Sequence, residues 1–161
     1  MFDYIQKCDD VLTDLSRSIY LYGHEVKVGG KTTKEIINVH KTFNLGELLS
    51  HRYDEEEYDI EFKNSENSLD DVYKILVKDL TSRQAIIYNK SNTEAPACNS
   101  FFQFLYRNDR LNIFCYLRSS DVTRLKNDLI SIAHMTKKLS GRLDVDLGEM
   151  YVTIASLHEY V

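Results

Sequence analysis

Cys98 is the side chain here best suited to attack an electrophile. It follows Pro96-Ala97, in a turn leading into an aromatic-rich run from Ser100 to Arg107. A free thiol, ionising near ~8.5, is a weak nucleophile unless positive charge stabilises the thiolate. Arg118 lies 20 residues on and closes a second run, so a hairpin between the two runs returns it beside Cys98. Taken alone, such a cysteine is equally an ordinary small buried residue. Arg118-Ser119-Ser120-Asp121 puts a guanidinium, hydroxyls and a carboxylate at a strand-to-helix junction. Orphan amides there favour an anion, and a planar arginine fork suits phosphate. The same tetrad also reads as a helix cap made by Ser120 or Asp121. Ser82-Arg83 falls between a helix and a strand, a common place for an exposed arginine. His158-Glu159-Tyr160 sits at the end of the sequence, where surface residues are the ordinary expectation.

These groups need elements to position them. Phe2, Ile5, Cys8, Val11, Leu12, Leu15 and Ile19 form one apolar stripe at helical spacing, closed by Gly23. Glu25 to Val28 alternates as a short strand before the Gly29-Gly30 turn, and Ile36 to Phe43 is a strand or a short helix. Residues 50–67 read as a solvated excursion with one edge strand. Asn67 or Ser68 caps a helix over Leu69 to Leu80, Gln84 to Asn89 is a strand, and Lys90 to Pro96 is a loop. Ser100 to Arg107 and Leu111 to Leu117 form a hairpin about Asn108-Asp109-Arg110. A helix from Asp121 to Leu139 closes at Gly141, and Tyr151 to Ala155 is a last strand. Long helices segregated from several strands give an α+β class, one sheet covered by helices on one face.

Composition bounds the partners. The 161 residues carry 20 Lys+Arg against 25 Asp+Glu, a net charge of −5, and 43% are hydrophobic. That length predicts a single domain able to bury a core. A mild acid excess argues against nucleic acid as a partner, while leaving room for a local basic pocket. No apolar run approaches the ~20 residues of a membrane span, and no secretory leader is recognisable. Cys8, Cys98 and Cys115 lack metal-ligand spacing, and an odd count does not suggest a disulfide scaffold, so a reducing cytoplasm is the expected compartment.

Read together, the motifs resemble the thymidylate synthase and pyrimidine-nucleotide hydroxymethylase family. Ala95-Pro96-Ala97-Cys98-Asn99-Ser100-Phe101-Phe102-Gln103-Phe104, then Tyr116-Leu117-Arg118-Ser119-Ser120-Asp121, looks like its proline-cysteine turn, FQF strand and RSxD motif without a gap. Asp79 to Ala85 is similar to its arginine-bearing loop, and Gly23 to Val39 to its first strand pair. Gly148 to Thr153, with His158 and Tyr160, resembles its ribose-binding strand. The resemblance implies a homodimer with sheets packed face to face and nucleotide sites near the interface. It implies that Cys98 attacks carbon 6 of a pyrimidine nucleoside monophosphate, activating carbon 5 toward a methyl or hydroxymethyl unit from methylenetetrahydrofolate. Arg118 and Ser119 then hold the 5′-phosphate, with Arg83 reaching in from the neighbouring subunit, and Arg118 also supports the thiolate. Asp121 touches the base through its backbone, Gln103 lines the cysteine pocket, and His158 with Tyr160 binds the ribose hydroxyl.

The departures point elsewhere. Gly29 and Gln84 replace two arginines of the family's phosphate clamp, and Asn99 follows the cysteine where synthases have histidine. Leu129 occupies the position of the base-reading asparagine, with Asn127 and Asp128 displaced beside it. The chain has no Trp; Glu47, Glu55, Glu56 and Glu57 lie in the region of the general-base glutamate without its context, and the family's C-terminal segment has no counterpart before Val161. Three functions follow: a compact one-carbon transferase, a degenerate relative serving as a dimeric nucleotide-binding or protein-interaction module, or a folate-free enzyme reusing the cysteine pocket on another nucleotide.

Overall fold

The computed structural model describes residues 6–52, 67–90 and 96–161. Helix α1 (Cys8–Tyr22) buries Cys8, Val11, Leu15 and Ile19 of the predicted stripe, with Leu12 half-buried and Phe2 and Ile5 outside the described residues. The N–H of Gly23 ends it on the Ile19 carbonyl at 2.8 Å. Strands β1 (His24–Val28) and β2 (Lys31–Asn44) form a hairpin in which Val28 pairs with Lys31. Its two turn residues, Gly29 and Gly30, have φ of 57° and 81°, the left-handed conformation that two-residue hairpins require. The stretch from Ile36 to Phe43, open between helix and strand in the sequence, is therefore strand.

Helix α2 (Leu45–Leu49) starts on Asn44, whose Oδ1 accepts from Glu47 N at 3.0 Å. Helix α3 (Leu69–Lys78) starts on Ser68 through a reciprocal capping box with Asp71 and buries Val72 and Leu76. The loop around 91–95 and most of the excursion 50–67, its edge strand included, lie outside the described residues. Strand β3 (Ile86–Lys90) leads to β4 (Pro96–Arg107) and β5 (Arg110–Asp121), joined by Asn108 and Asp109 at φ 53° and 60°. Helix α4 (Val122–Leu143) runs on through Gly141 and stops at Asp144, whose φ of 54° makes the left-handed exit expected of Gly141. Strand β6 (Asp146–Tyr160) is far longer than the predicted 151–155.

The six strands make one mixed sheet in the order β1-β2-β6-β5-β4-β3. All neighbours are antiparallel except β5 and β6, which α4 joins as a crossover. Phe43, Phe102, Phe104, Ile113, Leu117, Met150, Val152 and Ile154 face the helices and are buried with Leu125, Leu129 and Leu139 of α4. The α+β class, with helices on one face, matches the expectation.

One irregularity shapes the edge nearest the site. Asn38, in the middle of β2, has φ 60°, and the inward-facing residues step from Ile36 to Val39. The paired strand does the same, from Ile154 to Leu157. Both strands thus change face at one level, and β6 continues beyond Ala155 to carry His158 and Tyr160 within the sheet.

The opposite sheet face carries apolar side chains that no described helix covers. Phe114 and Tyr151 stack with ring centroids 4.6 Å apart. Tyr88, Phe114 and Tyr116 each remain 41% exposed and Ile37 71%. Such a contiguous patch is the usual signature of an interaction surface.

Candidate functional site

Strands β4 and β5 bring the thiol and the guanidinium together. Asn99 pairs with Leu117, and a register shift between Asn99 and Phe101 bends the start of β4. Cys98 therefore lies inside a strand, not in the predicted turn, and is exposed. Ser100, itself buried, donates its hydroxyl to the Ala97 carbonyl at 2.5 Å and fixes that bend. Arg118 Nη2 donates to Cys98 Sγ at 3.6 Å.

From Arg118 the parallel pairing of β5 with β6 extends the site. Asp121 pairs with His158, and Ser119 Oγ lies 3.4 Å from His158 Nδ1. His158 packs edge-on against Tyr160, centroids 5.5 Å apart, and Lys31 Nζ sits 5.4 Å from the Tyr160 ring centre. The described contacts thus form two groups, Cys98 with Arg118 and Ser119 with His158 and Tyr160, joined through adjacent residues of β5. His158 and Tyr160 belong to β6; Tyr160 is exposed, as its place at the end of the sequence suggested, and His158 is half-buried.

Asp121 spends its carboxylate on α4. Its Oδ1 accepts from Thr123 N at 2.9 Å and Thr123 Oγ1 at 2.7 Å, so its side chain is the cap of the helix. Gln103 is also committed: Nε2 donates to the Arg83 carbonyl at 2.8 Å. Arg83 itself is exposed beside the later part of β4, away from Cys98.

Asp128 is the residue that sequence reasoning left aside. It lies on α4 within hydrogen-bonding contact of Asn99, the neighbour of the cysteine. Burial raises its pKa from 3.8 to about 6, against the lowering effects of the Asn99 bond and the Arg124 charge. A buried acid one residue from a candidate nucleophile is where functional groups concentrate.

The family model for thymidylate synthase matches residues 15–161. This chain belongs to the thymidylate synthase family. A deoxyuridylate hydroxymethyltransferase of Bacillus phage SP01 is 30% identical over 108 residues, which cover 61% of this chain and 28% of the relative. The match thus spans less than a third of that relative's length.

Against the family pattern, two features of the site stand out. Gly29 occupies a turn position that needs positive φ, so the arginine of the first clamp position is exchanged for backbone geometry. Glu47, the described glutamate in the general-base region, is engaged elsewhere. Its Oε2 accepts from Cys8 N at 3.2 Å, capping α1, and its Oε1 pairs with His51 Nε2 at 2.9 Å. Glu47 is thus committed to α1 and His51, and Glu55, Glu56 and Glu57 lie outside the described residues. The thymidylate synthase family generally uses methylenetetrahydrofolate. No cluster of three metal-ligating side chains occurs among the described residues, and no described helix is long and apolar enough to cross a membrane.

Proposed function

We propose that the chain binds a pyrimidine nucleoside monophosphate and transfers a one-carbon unit to its carbon 5 through a Cys98 adduct. The observation that carries this reading is the Arg118 donor on Cys98 Sγ, adjacent along β5 to the Ser119–His158 pair. Positive charge beside a sulfur favours the thiolate, the form that attacks. The thiolate adds across the 5,6 double bond, and the displaced electron pair makes carbon 5 nucleophilic. Carbon 5 bonds to the one-carbon unit, whose bonds to its donor break with their electron pairs left on the donor, while water supplies the hydroxyl of a hydroxymethyl product. The carbon 5 proton leaves to solvent, and elimination of the thiolate restores the double bond. Arg118 and Ser119 seat the phosphate, His158 and Tyr160 the sugar hydroxyl, and Asn99 with Asp128 the edge of the base.

A homodimer completes this site. The guanidinium of Arg83 starts from a backbone fixed beside Gln103, five residues along β4 from Cys98, or about 16 Å. An arginine side chain does not span that distance within one chain. A second copy packed on the exposed apolar face, related by a two-fold axis, brings the far end of one β4 to the near end of the other. A degenerate relative that binds nucleotide without turnover is the second reading, favoured by the engagement of Glu47 with Cys8 and His51.

The test is tritium release from position 5 of labelled dUMP and dCMP, with methylenetetrahydrofolate as the donor tried first. Release by the wild type above that by Cys98→Ser establishes transfer. Equal release by the two ends the transferase reading, and calorimetry with the same nucleotides then decides whether binding survives.

A further inference from the structure

We propose that Arg107 is a second guanidinium of the phosphate seat to which Arg83 belongs, filling the place left by Gln84. The inference rests on the dimeric nucleotide-binding reading above. A groove of about 580 Å³ runs between the turn that follows α3 and the end of β4, lined by Asp79, Thr81, Ser82, Arg83, Gln84 and Arg107. Two cations face it against one acid, Asp79, whose carboxylate also feels the Arg107 charge. Asp79 Oδ1 accepts from Thr81 N at 3.0 Å and Thr81 Oγ1 at 2.7 Å, bonds that hold its carboxyl below the usual carboxylate range.

Arg107 is set in advance. Nη1 donates to the Tyr106 carbonyl at 2.6 Å and Nη2 to the Thr81 carbonyl at 3.1 Å. A guanidinium has five N–H donors, so these two bonds fix it and leave the others for a ligand. Gln103, four residues earlier on the strand, holds the Arg83 carbonyl in the same way. One strand thus stakes the turn at two points and keeps both arginines on the same groove. An anion with several oxygens, such as a phosphomonoester, suits paired forks of this kind. Arg107 stands nine residues from Cys98 along β4, about 30 Å, so like Arg83 it serves the site of the second copy.

The experiment is calorimetry of the full chain with dUMP and with deoxyuridine, which lacks the phosphate. Arg107→Gln is expected to weaken dUMP roughly tenfold, the loss of one charge-assisted contact, and to leave deoxyuridine within about twofold. A further loss, its size altered by coupling through the shared phosphate, is expected when Arg107→Gln is added to Arg83→Gln, since each arginine touches phosphate itself. Arg107→Lys, which keeps a point charge, is expected to lose less. Unchanged dUMP affinity in Arg107→Gln overturns the proposal. So does an effect that vanishes in the Arg83→Gln background, which would mean Arg107 acts only by positioning the turn, or an equal loss for deoxyuridine. If Arg118→Gln and Arg83→Gln weaken dUMP while Arg107→Gln does not, the proposal alone fails. A wild type that takes up no dUMP ends it together with the reading beneath it.

Discussion

Arg118 reaches Cys98 because Asn99 and Leu117 are paired across β4 and β5, so that residues 20 apart in sequence meet at 3.6 Å. The contact depends on the two-residue turn at Asn108-Asp109, which sets the register of the hairpin. Arg118→Lys keeps the charge and loses the planar fork. Tritium release from labelled dUMP is expected to fall at least about tenfold. Release at the wild-type rate would show that the sulfur needs no guanidinium partner.

Asp128 makes stability depend on pH with a definite sign. Its pKa is about 6 in the folded chain, raised by burial from 3.8. Below about pH 4 both folded and unfolded chains hold the proton and nothing is lost. As pH rises from about 4 through 6 the unfolded chain releases it more readily, so stability falls by up to about 3 kcal/mol and stays lower above that window. Asp128→Asn removes the titration. Denaturant unfolding is expected to show the variant about 1–3 kcal/mol more stable than wild type at pH 7.5 and nearly equal at pH 4. An equal difference at both values would contradict this account.

Shared sites make a mixing experiment informative. Cys98→Ser and Arg83→Gln variants should each be nearly inactive in tritium release. Re-associated in equal amounts, they should recover about a quarter of wild-type activity, because half the dimers are mixed and each mixed dimer carries one intact site. Recovery would fail to appear if Arg83 worked within its own chain.

A last prediction concerns the sheet itself. Asn112 donates to the Leu105 and Arg110 carbonyls at 3.3 Å and 3.2 Å and accepts from Glu149 N at 2.9 Å, tying β4, β5 and β6 together. A methyl group on Gly148 would collide with its Oδ1. Gly148→Ala should therefore lose about 1–3 kcal/mol in urea unfolding.

The sequence exposed the elements whose periodicity is regular and hid those where the period breaks. The stripe of α1, the capping residue of α3 and the β4–β5 hairpin were all readable, because spacing and turn chemistry agreed. Strand β2 read ambiguously because Asn38 shifts its inward face by one residue, and β6 read short because Ala155 sits opposite that shift. The five-residue helix α2 is too brief to show a repeat. Within the candidate site, motifs pointed to Cys98, Arg118, Ser119 and His158, and the structure brings Arg118 to Cys98 and Ser119 to His158. Asp128 was named only as displaced beside Leu129, because the ungapped register put Leu129 in the base-reading place and nothing showed that α4 brings Asp128 to Asn99. The cap made by Asp121 was legible as one of two readings of the tetrad, whereas nothing in the sequence showed that Gln103 spends its side chain on the Arg83 carbonyl.

The three cysteines differ in a way that gives the protein a practical handle. Cys8 and Cys115 are buried, and burial pushes both thiols up, that of Cys8 to about 12, whereas Cys98 is open to solvent. A mild alkylating reagent applied to the native fold should therefore label one position per chain, so that the stoichiometry of incorporated label counts intact nucleophiles and protection by a bound nucleotide reports occupancy directly.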